Sequence, residues 1–383
     1  MSGRRYALVA GGGTAGHLQP ALAVAEALVD AGHERGTIEF VGSTRGQDRL
    51  TLEGRGFPFT LLPGRGIVRS LRPAALVANI GAVAGLAVAA VRGVGVVLRS
   101  RPRVVVSVGG YASLAASLAA VVTRVPLVLV NVDAVPGAAN RLLGRFARAS
   151  AVGWEGSPLP RAVVTGTPVR PEIARVGRGA AERHTARRQL GLPEDRPTVV
   201  VFGGSLGAHR INRAVLELSD RWRDRNDRSI YHIVGRREWD DDLRVQTDPA
   251  GLALVRVPYE DRMDVVYGSA DVVVCRAGAM TVAELAVAGV PSVLVPLPGA
   301  PGDHQTANAR VLERAGGAVL LPDDRCDAGS LATTLDGLLS EPALLESMGR
   351  AAAELGHPDA AASGARLVEA SAAPSPGDPG EGP

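Results

Sequence analysis

The 383-residue sequence predicts an α/β protein built from two doubly wound halves. Three observations predict it. A strand–glycine turn–helix unit occurs twice, about half a chain apart. The strands are unbroken runs of Val, Leu and Ala, the pattern of parallel strands buried on both faces. Those runs alternate with helical stretches, as βα units do.

The first unit opens with a strand at Tyr6–Ala10, turns through Gly11-Gly-Gly-Thr14-Ala15-Gly16-His17 and enters a helix at Gln19–Ala31, with Pro20 as a first-turn marker. Strands follow at Ile38–Gly42, Phe59–Leu62 and Val104–Val108, the last closing in Gly109-Gly110-Tyr111 before an Ala-rich helix. A strand at Pro126–Val132, a helix at Ala139–Ala147 and a strand at Ala162–Val164 complete the half. The polar, Arg-rich stretch from Pro171 to Arg196 reads as a connection. The second unit is Val199–Phe202, then Gly203-Gly-Ser205-Leu-Gly207-Ala-His209 and an amphipathic helix. Further strands are expected at Ile230–Val234, Leu252–Val257, Val272–Cys275, Ser292–Val295 and Ala318–Leu321. The domains are set at 1–164 and 165–372, with a Pro/Gly-rich tail at 373–383.

Composition narrows the function class. The chain is 46% hydrophobic and 21% charged, ample for two cores, with a net charge of +3. All 42 basic residues are arginine, and aromatics make up only 3%. Basic residues are not interleaved with aromatics, which argues against a nucleic-acid partner. Cys275 and Cys326 make no disulfide framework and fit a reducing compartment. The opening residues lack the apolar core of a signal peptide. Ala74–Val91 is 18 residues without a charge, flanked by Arg65, Arg69 and Arg72 before and by Arg92, Arg99, Arg101 and Arg103 after. Such a segment is either a core helix with solvated ends or a helix lying on an anionic membrane surface.

The glycine turns aim backbone N–H groups and a helix N-terminus at one point, which suits a phosphate. The first turn is not a dinucleotide fingerprint, since no acidic residue ends the next strand, and a chain without lysine has no Walker loop. His17 stands at a helix start, where the dipole disfavours its cation, so a neutral imidazole can act as a base. The densest block is Asp271 to Pro296: strand, glycine turn at Gly278, helix, strand. Within it Thr281-x-x-Glu284 fits a capping box, while the alternative use of Glu284 is a carboxylate gripping vicinal hydroxyls. Asp240-Asp-Asp242 spells D-x-D but reads as a solvated face, so no metal is assigned.

Gly11–Ala21, Gly109–Ser113, Val135–Leu143, Thr165–Arg170, Gly203–Ala208, Cys275–Pro296 and His304–Ala309 together resemble the MurG family, in order across residues 5–355. The resemblance implies a GT-B fold, two Rossmann-like domains with a cleft between them. It implies inverting transfer of GlcNAc from UDP-GlcNAc to the muramyl 4-hydroxyl of lipid I, an undecaprenyl-linked acceptor, with no cofactor. It also implies a peripheral enzyme at the cytoplasmic face of the cell membrane, with Ala74–Val91 as the membrane-associating part. Glu284 matches the ribose-binding glutamate, Ala279, Met280, Thr281, Val282 and Ala283 the lining of the uridine and diphosphate site, and Ser205 the diphosphate contact. Arg170 matches the arginine of the Gly-Asn-Pro-Val-Arg motif, and Gln305 and Asn308 match residues near the donor sugar. Thr14, Ala15 and Gly16 match the first loop, and His17 the catalytic histidine.

The chain departs from that family at Val130-Asn131-Val132-Asp133, where His-Glu-Gln-Asn is usual. An amide cannot replace a carboxylate base, and Asp133 is the expected substitute if the strand continues through it. Leu206 and Thr167 also stand where glutamine and asparagine are usual. The departures leave two alternatives: a related UDP-sugar transferase with another acceptor, and a weakly catalytic sugar-nucleotide-binding paralogue.

Overall fold

The computed structural model describes residues 4–12, 15–44, 48–63, 73–204, 207–240, 243 and 251–372. Thr14, Ser205, Leu206, Asp241 and Asp242 therefore lie outside the described residues. The chain divides into two units, Met1–Val169 with Asp359–Pro383, and Arg170–Pro358.

The first unit contains strands β1 (Ala7–Gly11), β2 (Ile38–Ser43), β3 (Phe59–Leu62), β4 (Val104–Gly109), β5 (Leu127–Asn131), β6 (Ala149–Val152) and β7 (Ala162–Val164). They form one parallel sheet in the order β3-β2-β1-β4-β5-β6-β7. Its helices are α1 (Ala15–Asp30), α2 (Asp48–Glu53), α3 (Pro73–Ser100), α4 (Tyr111–Thr123) and α5 (Ala138–Leu143). Strands β1, β2, β5 and β6 are buried along their whole length, including Glu39 of β2 and Ser150 of β6.

Small residues let α3 and α4 approach closely. A Cβ on Gly93 would sit 3.1 Å from the Ala115 carbonyl oxygen. Ala112, Ala115, Ala116, Ala119 and Ala120 of α4 are all buried in the same core. The other face of α3 is exposed and carries Val88, Val91 and Leu98 beside Arg92 and Arg99. Among the described residues no helix is long and apolar enough to cross a membrane.

The second unit holds β8 (Thr198–Phe202), β9 (Ser229–Ile233), β10 (Ala253–Val257), β11 (Val272–Cys275), β12 (Ser292–Leu294) and β13 (Ala318–Leu320). They too form a parallel sheet, ordered β10-β9-β8-β11-β12-β13. Helices α6 (Pro171–Ala174), α7 (Ala180–Gln189), α8 (His209–Arg221), α9 (Met263–Ser269), α10 (Ala279–Ala288), α11 (His304–Ala315), α12 (Ala328–Leu339) and α13 (Pro342–Glu354) surround it. The last helix, α14 (Ala360–Ser371), packs on α1 and on β4–β6 of the first unit.

Five expectations change. The helix after the first turn begins at Ala15, so Pro20 lies inside it; the hydrogen bond it forfeits is the one to Gly16, an exposed position. The helix expected over Ala139–Ala147 ends at Leu143. The Arg-rich connection contains α7, a polar helix that apolar periodicity does not reveal. The units part at Val169/Arg170 rather than at 164/165, and α14 joins the first unit instead of the second. Finally, the buried strand β6 stands where no strand was expected.

Candidate functional site

Both glycine turns occupy the same topological place. Strands β1 and β8 are the first of their sheets, and each lies between a neighbour wound one way and a neighbour wound the other. In open α/β sheets ligands gather at the carboxyl ends of such strands.

In the first unit, β1 ends at Gly11, and His17 lies in the first turn of α1, partly buried. Its imidazole lies over the turn that ends β4. A Cβ on Gly109 would stand 2.7 Å from His17 Cδ2 and 3.0 Å from Nε2, and one on Gly110 3.5 Å from Nδ1. Gly109 and Gly110 also have φ of +120° and +88°, so both the backbone and the imidazole require glycine there. Ser113 ties the turn to β1: its hydroxyl is 2.5 Å from the Ala10 carbonyl and 2.6 Å from the Gly109 carbonyl, and it accepts from the Gly109 N–H at 3.2 Å. Asp48, buried at the start of α2, accepts the Ser43 N–H at 2.8 Å and lies against Gly12 and Gly42. Sequence reasoning passed over Asp48; the signal available was an acid placed shortly after a strand end.

Asn131 ends β5 and is only 4% exposed, with both arms of its amide engaged. Its Nδ2 donates to the Asp133 carbonyl at 2.7 Å, and its Oδ1 accepts from Asn140 Nδ2 at 3.1 Å. Asn131 is thus a structural residue that holds the following loop. Asp133 is partly exposed in that loop, two residues beyond the strand, so the expected extension of the strand through it does not occur.

In the second unit the chemistry centres on Glu284. Helix α10 begins at Ala279 behind the N-cap Gly278, so Glu284 falls in the second turn and the expected Thr281–Glu284 capping box does not form. Its carboxylate is turned to side chains instead. Oε2 accepts from the Tyr267 hydroxyl at 2.9 Å, and Oε1 is 3.4 Å from Arg170 Nε. Arg170 also reaches the Asp261 carbonyl at 3.5 Å and lies 3.8 Å from Glu172. Burial raises the Glu284 pKa above the ordinary carboxylate value, and Arg170 and Tyr267 pull it back. Burial also drives the Tyr267 hydroxyl well up, so it stays protonated as a donor. Sequence reasoning missed Tyr267, because nothing in α9 marks it apart from an ordinary core tyrosine.

Val282 and Ala283 are buried, while Ala279, Met280 and Thr281 are partly exposed in the first turn of α10. Asn308 is fully buried and donates to the Ala277 carbonyl at 3.3 Å, bracing the turn before α10. Gln305 Oε1 accepts the Leu297 N–H at 2.9 Å. The second glycine turn rests on a buried network: Asn212 Nδ2 donates to the Val234 carbonyl at 2.9 Å and to Glu238 Oε2 at 2.8 Å. His232 Nε2 donates to Asn212 Oδ1 at 3.0 Å. Burial, then Arg256, pushes the His232 pKa down to about 3, so its ring is neutral. Gly207, at φ +83°, packs against Asn212 and Glu238.

Residues 7–152 match the glycosyltransferase family 28 N-terminal domain, and residues 198–363 the glycosyltransferase family 28 C-terminal domain. The UDP-N-acetylglucosamine–N-acetylmuramyl-(pentapeptide) pyrophosphoryl-undecaprenol N-acetylglucosamine transferase of Desulforudis audaxviator is 35% identical over 372 residues, covering 94% of this chain and 97% of that protein. The enzyme of the same name from Acidothermus cellulolyticus is 41% identical over 371 residues, covering 96% and 98%. The crystal structure of Acinetobacter baumannii MurG superposes with a TM-score of 0.75 at 27% identity, covering 96% of this chain and 99% of that one.

The chain belongs to the MurG family. It has the GT-B fold and is a hexosyltransferase. The motif resemblance and the doubly wound fold class are both borne out by this membership. The two glycine turns share one scaffold, each with a histidine at the following helix start, His17 and His209, while the buried Glu284–Arg170 pair belongs to the second unit.

Proposed function

We propose that this MurG-family chain transfers GlcNAc from UDP-GlcNAc to the muramyl 4-hydroxyl of an undecaprenyl-pyrophosphate-linked acceptor, forming lipid II. The second unit holds the donor and the first unit the acceptor. The observation that carries the donor half is Glu284: a buried carboxylate on α10, held by Arg170 and Tyr267 and not used as a cap. Ionised, it accepts two hydroxyls of a ribose, and Arg170 is then partly released towards the diphosphate. As the sugar–phosphate bond breaks, negative charge grows on UDP. Arg170, the second glycine turn with Ser205, and the N-terminal end of α10 stabilise that charge. His17, set over Gly109–Gly110, takes the acceptor proton as the hydroxyl attacks from the face opposite UDP. Asp133 assists from the acceptor side. Thr14, Ala15 and Gly16 contact the acceptor, and Gln305 and Asn308 order the donor-sugar pocket.

The exposed Val88, Val91 and Leu98 of α3, with Arg92 and Arg99, rest on the anionic cytoplasmic surface of the membrane, where a lipid-linked acceptor resides. One observation favours a second reading. Asn131, in the place of the usual glutamate, is fully engaged in holding its loop and offers no base, which suits a different acceptor of the same donor.

An assay with labelled UDP-GlcNAc and a lipid I analogue separates the two. Transfer to the muramyl sugar is expected. UDP binding with donor hydrolysis and no transfer would point to the other acceptor class.

A further inference from the structure

The second unit has a cavity of about 490 Å³ at the amino ends of β11 and β12, lined by none of the residues assigned to the donor. Asp271 and Pro291, which precede those two strands, mark its position. Its charged walls are Arg178, Arg183, Arg350, Asp271 and Glu346. Both carboxylates are already engaged. Asp271 Oδ2 accepts from Arg187 Nη2 at 2.6 Å and from the Thr198 N–H at 2.6 Å, and Glu346 pairs with Arg350 at 2.9 Å.

Arg178 and Arg183 have no carboxylate within 4.0 Å among the described residues. Each spends one nitrogen on a backbone carbonyl: Arg178 Nη1 on Tyr267 at 2.8 Å, and Arg183 Nη1 on Arg178 at 2.8 Å. A guanidinium carries five N–H donors, so most of those in this pair remain for a ligand. Burial, with the charges of Arg183 and Arg187 close by, lowers the Arg178 pKa to about 10, against the pull of Asp271. Arg178 is still a cation at neutral pH. Asp271 ion-pairs with Arg187, so the Arg178 and Arg183 guanidiniums face the open volume without an ion-pair partner among the described residues.

We propose that this cavity binds a soluble phosphate-type oxyanion, inorganic phosphate or a small phosphomonoester, through Arg178 and Arg183. Planar guanidinium forks match the oxygens of a phosphate and neutralise it in pairs. The site is separate from the donor's diphosphate and does not depend on the transferase reading.

Titration of the full chain with inorganic phosphate by calorimetry, at fixed ionic strength and with and without saturating UDP, tests it. One saturable site is expected to persist when UDP fills the donor's diphosphate site. Arg183→Gln is expected to weaken it at least tenfold, and Arg213→Gln, an exposed arginine elsewhere in the unit, to leave it unchanged. If Arg183→Gln does not fold, Ala353→Asp places a carboxylate at the cavity wall and is expected to abolish phosphate binding. Retention on phosphatidylglycerol vesicles is expected to be the same for Arg183→Gln and the parent chain. Absence of saturation, saturation lost whenever UDP is present, an adventitious loss shared by Arg213→Gln, or loss of vesicle retention in Arg183→Gln with phosphate binding intact would each overturn the proposal.

Discussion

At the residue scale, Glu284 is a buried carboxylate whose charge is held at a cost in stability. Its native pKa lies above that of the unfolded chain, mainly through burial. Between those two values the folded state binds more protons than the unfolded state, so its stability falls as the pH rises through the raised pKa. Glu284→Gln removes that penalty. Its melting temperature relative to the parent is therefore expected to rise as the pH increases above the ordinary carboxylate range, as measured by calorimetric scans. The same variant loses the ionised acceptor for the ribose, so UDP-GlcNAc affinity is expected to fall about 10- to 100-fold, in line with a charge-assisted bond of ~1.5–3 kcal/mol. Acceptor KM should stay within about twofold, since the residues proposed to contact the acceptor belong to the other unit. His17 makes the opposite prediction. His17→Ala is expected to lower kcat by about 10²- to 10⁴-fold, the usual range for a positioned acid–base group, with UDP affinity retained. A His17→Ala enzyme of undiminished turnover would reject it as the base.

The elements matter because they aim these side chains. The turn after β4 is glycine for two independent reasons, its positive φ and the imidazole lying on it. Gly109→Ala is thus expected to destabilise the first unit by about 1–3 kcal/mol and to displace His17, lowering kcat while UDP binding is retained. The second glycine turn is braced from below by Asn212, whose amide joins His232, Val234 and Glu238. If that brace shapes the phosphate-binding turn, Asn212→Ala weakens UDP binding about tenfold and leaves uridine binding unchanged. A parallel loss for uridine would mean general damage to the unit. Helix α10 was legible as a short helix within the Asp271–Pro296 block, but its start was not. Gly278 and Ala279 carry no capping side chain, so the Thr-x-x-Glu pattern offered a false N-terminus one turn too late.

For the whole molecule, the last helix decides which unit owns the C-terminal segment. α14 crosses back to the first unit, where Glu369 meets His33 at 2.9 Å beside the stacked rings of Tyr6 and His33. A chain ending at Pro358 is expected to lose the stability of the first unit while keeping UDP affinity in the second, as read by melting with and without UDP. The proposed surface association belongs to the same scale and is assigned to the exposed Val88, Val91 and Leu98 of α3. Val91→Glu with Leu98→Glu is expected to reduce retention on anionic vesicles several-fold with the solution fold unchanged by circular dichroism.

The sequence by itself determined the two parallel sheets, the two glycine turns, the family and the chemical types of residue in each turn. Those follow from local pattern: apolar runs long enough to be buried on both faces, and glycines where backbone must approach a ligand. Tertiary structure alone decided that Glu284 faces Tyr267 and Arg170 and not its own helix start, that Asn131 is bound up in its loop, and that α14 belongs to the first unit. Each of these rests on a contact between residues from separate elements. Such pairings are set by packing and hydrogen-bond satisfaction in three dimensions, and neither periodicity nor spacing along the chain encodes them.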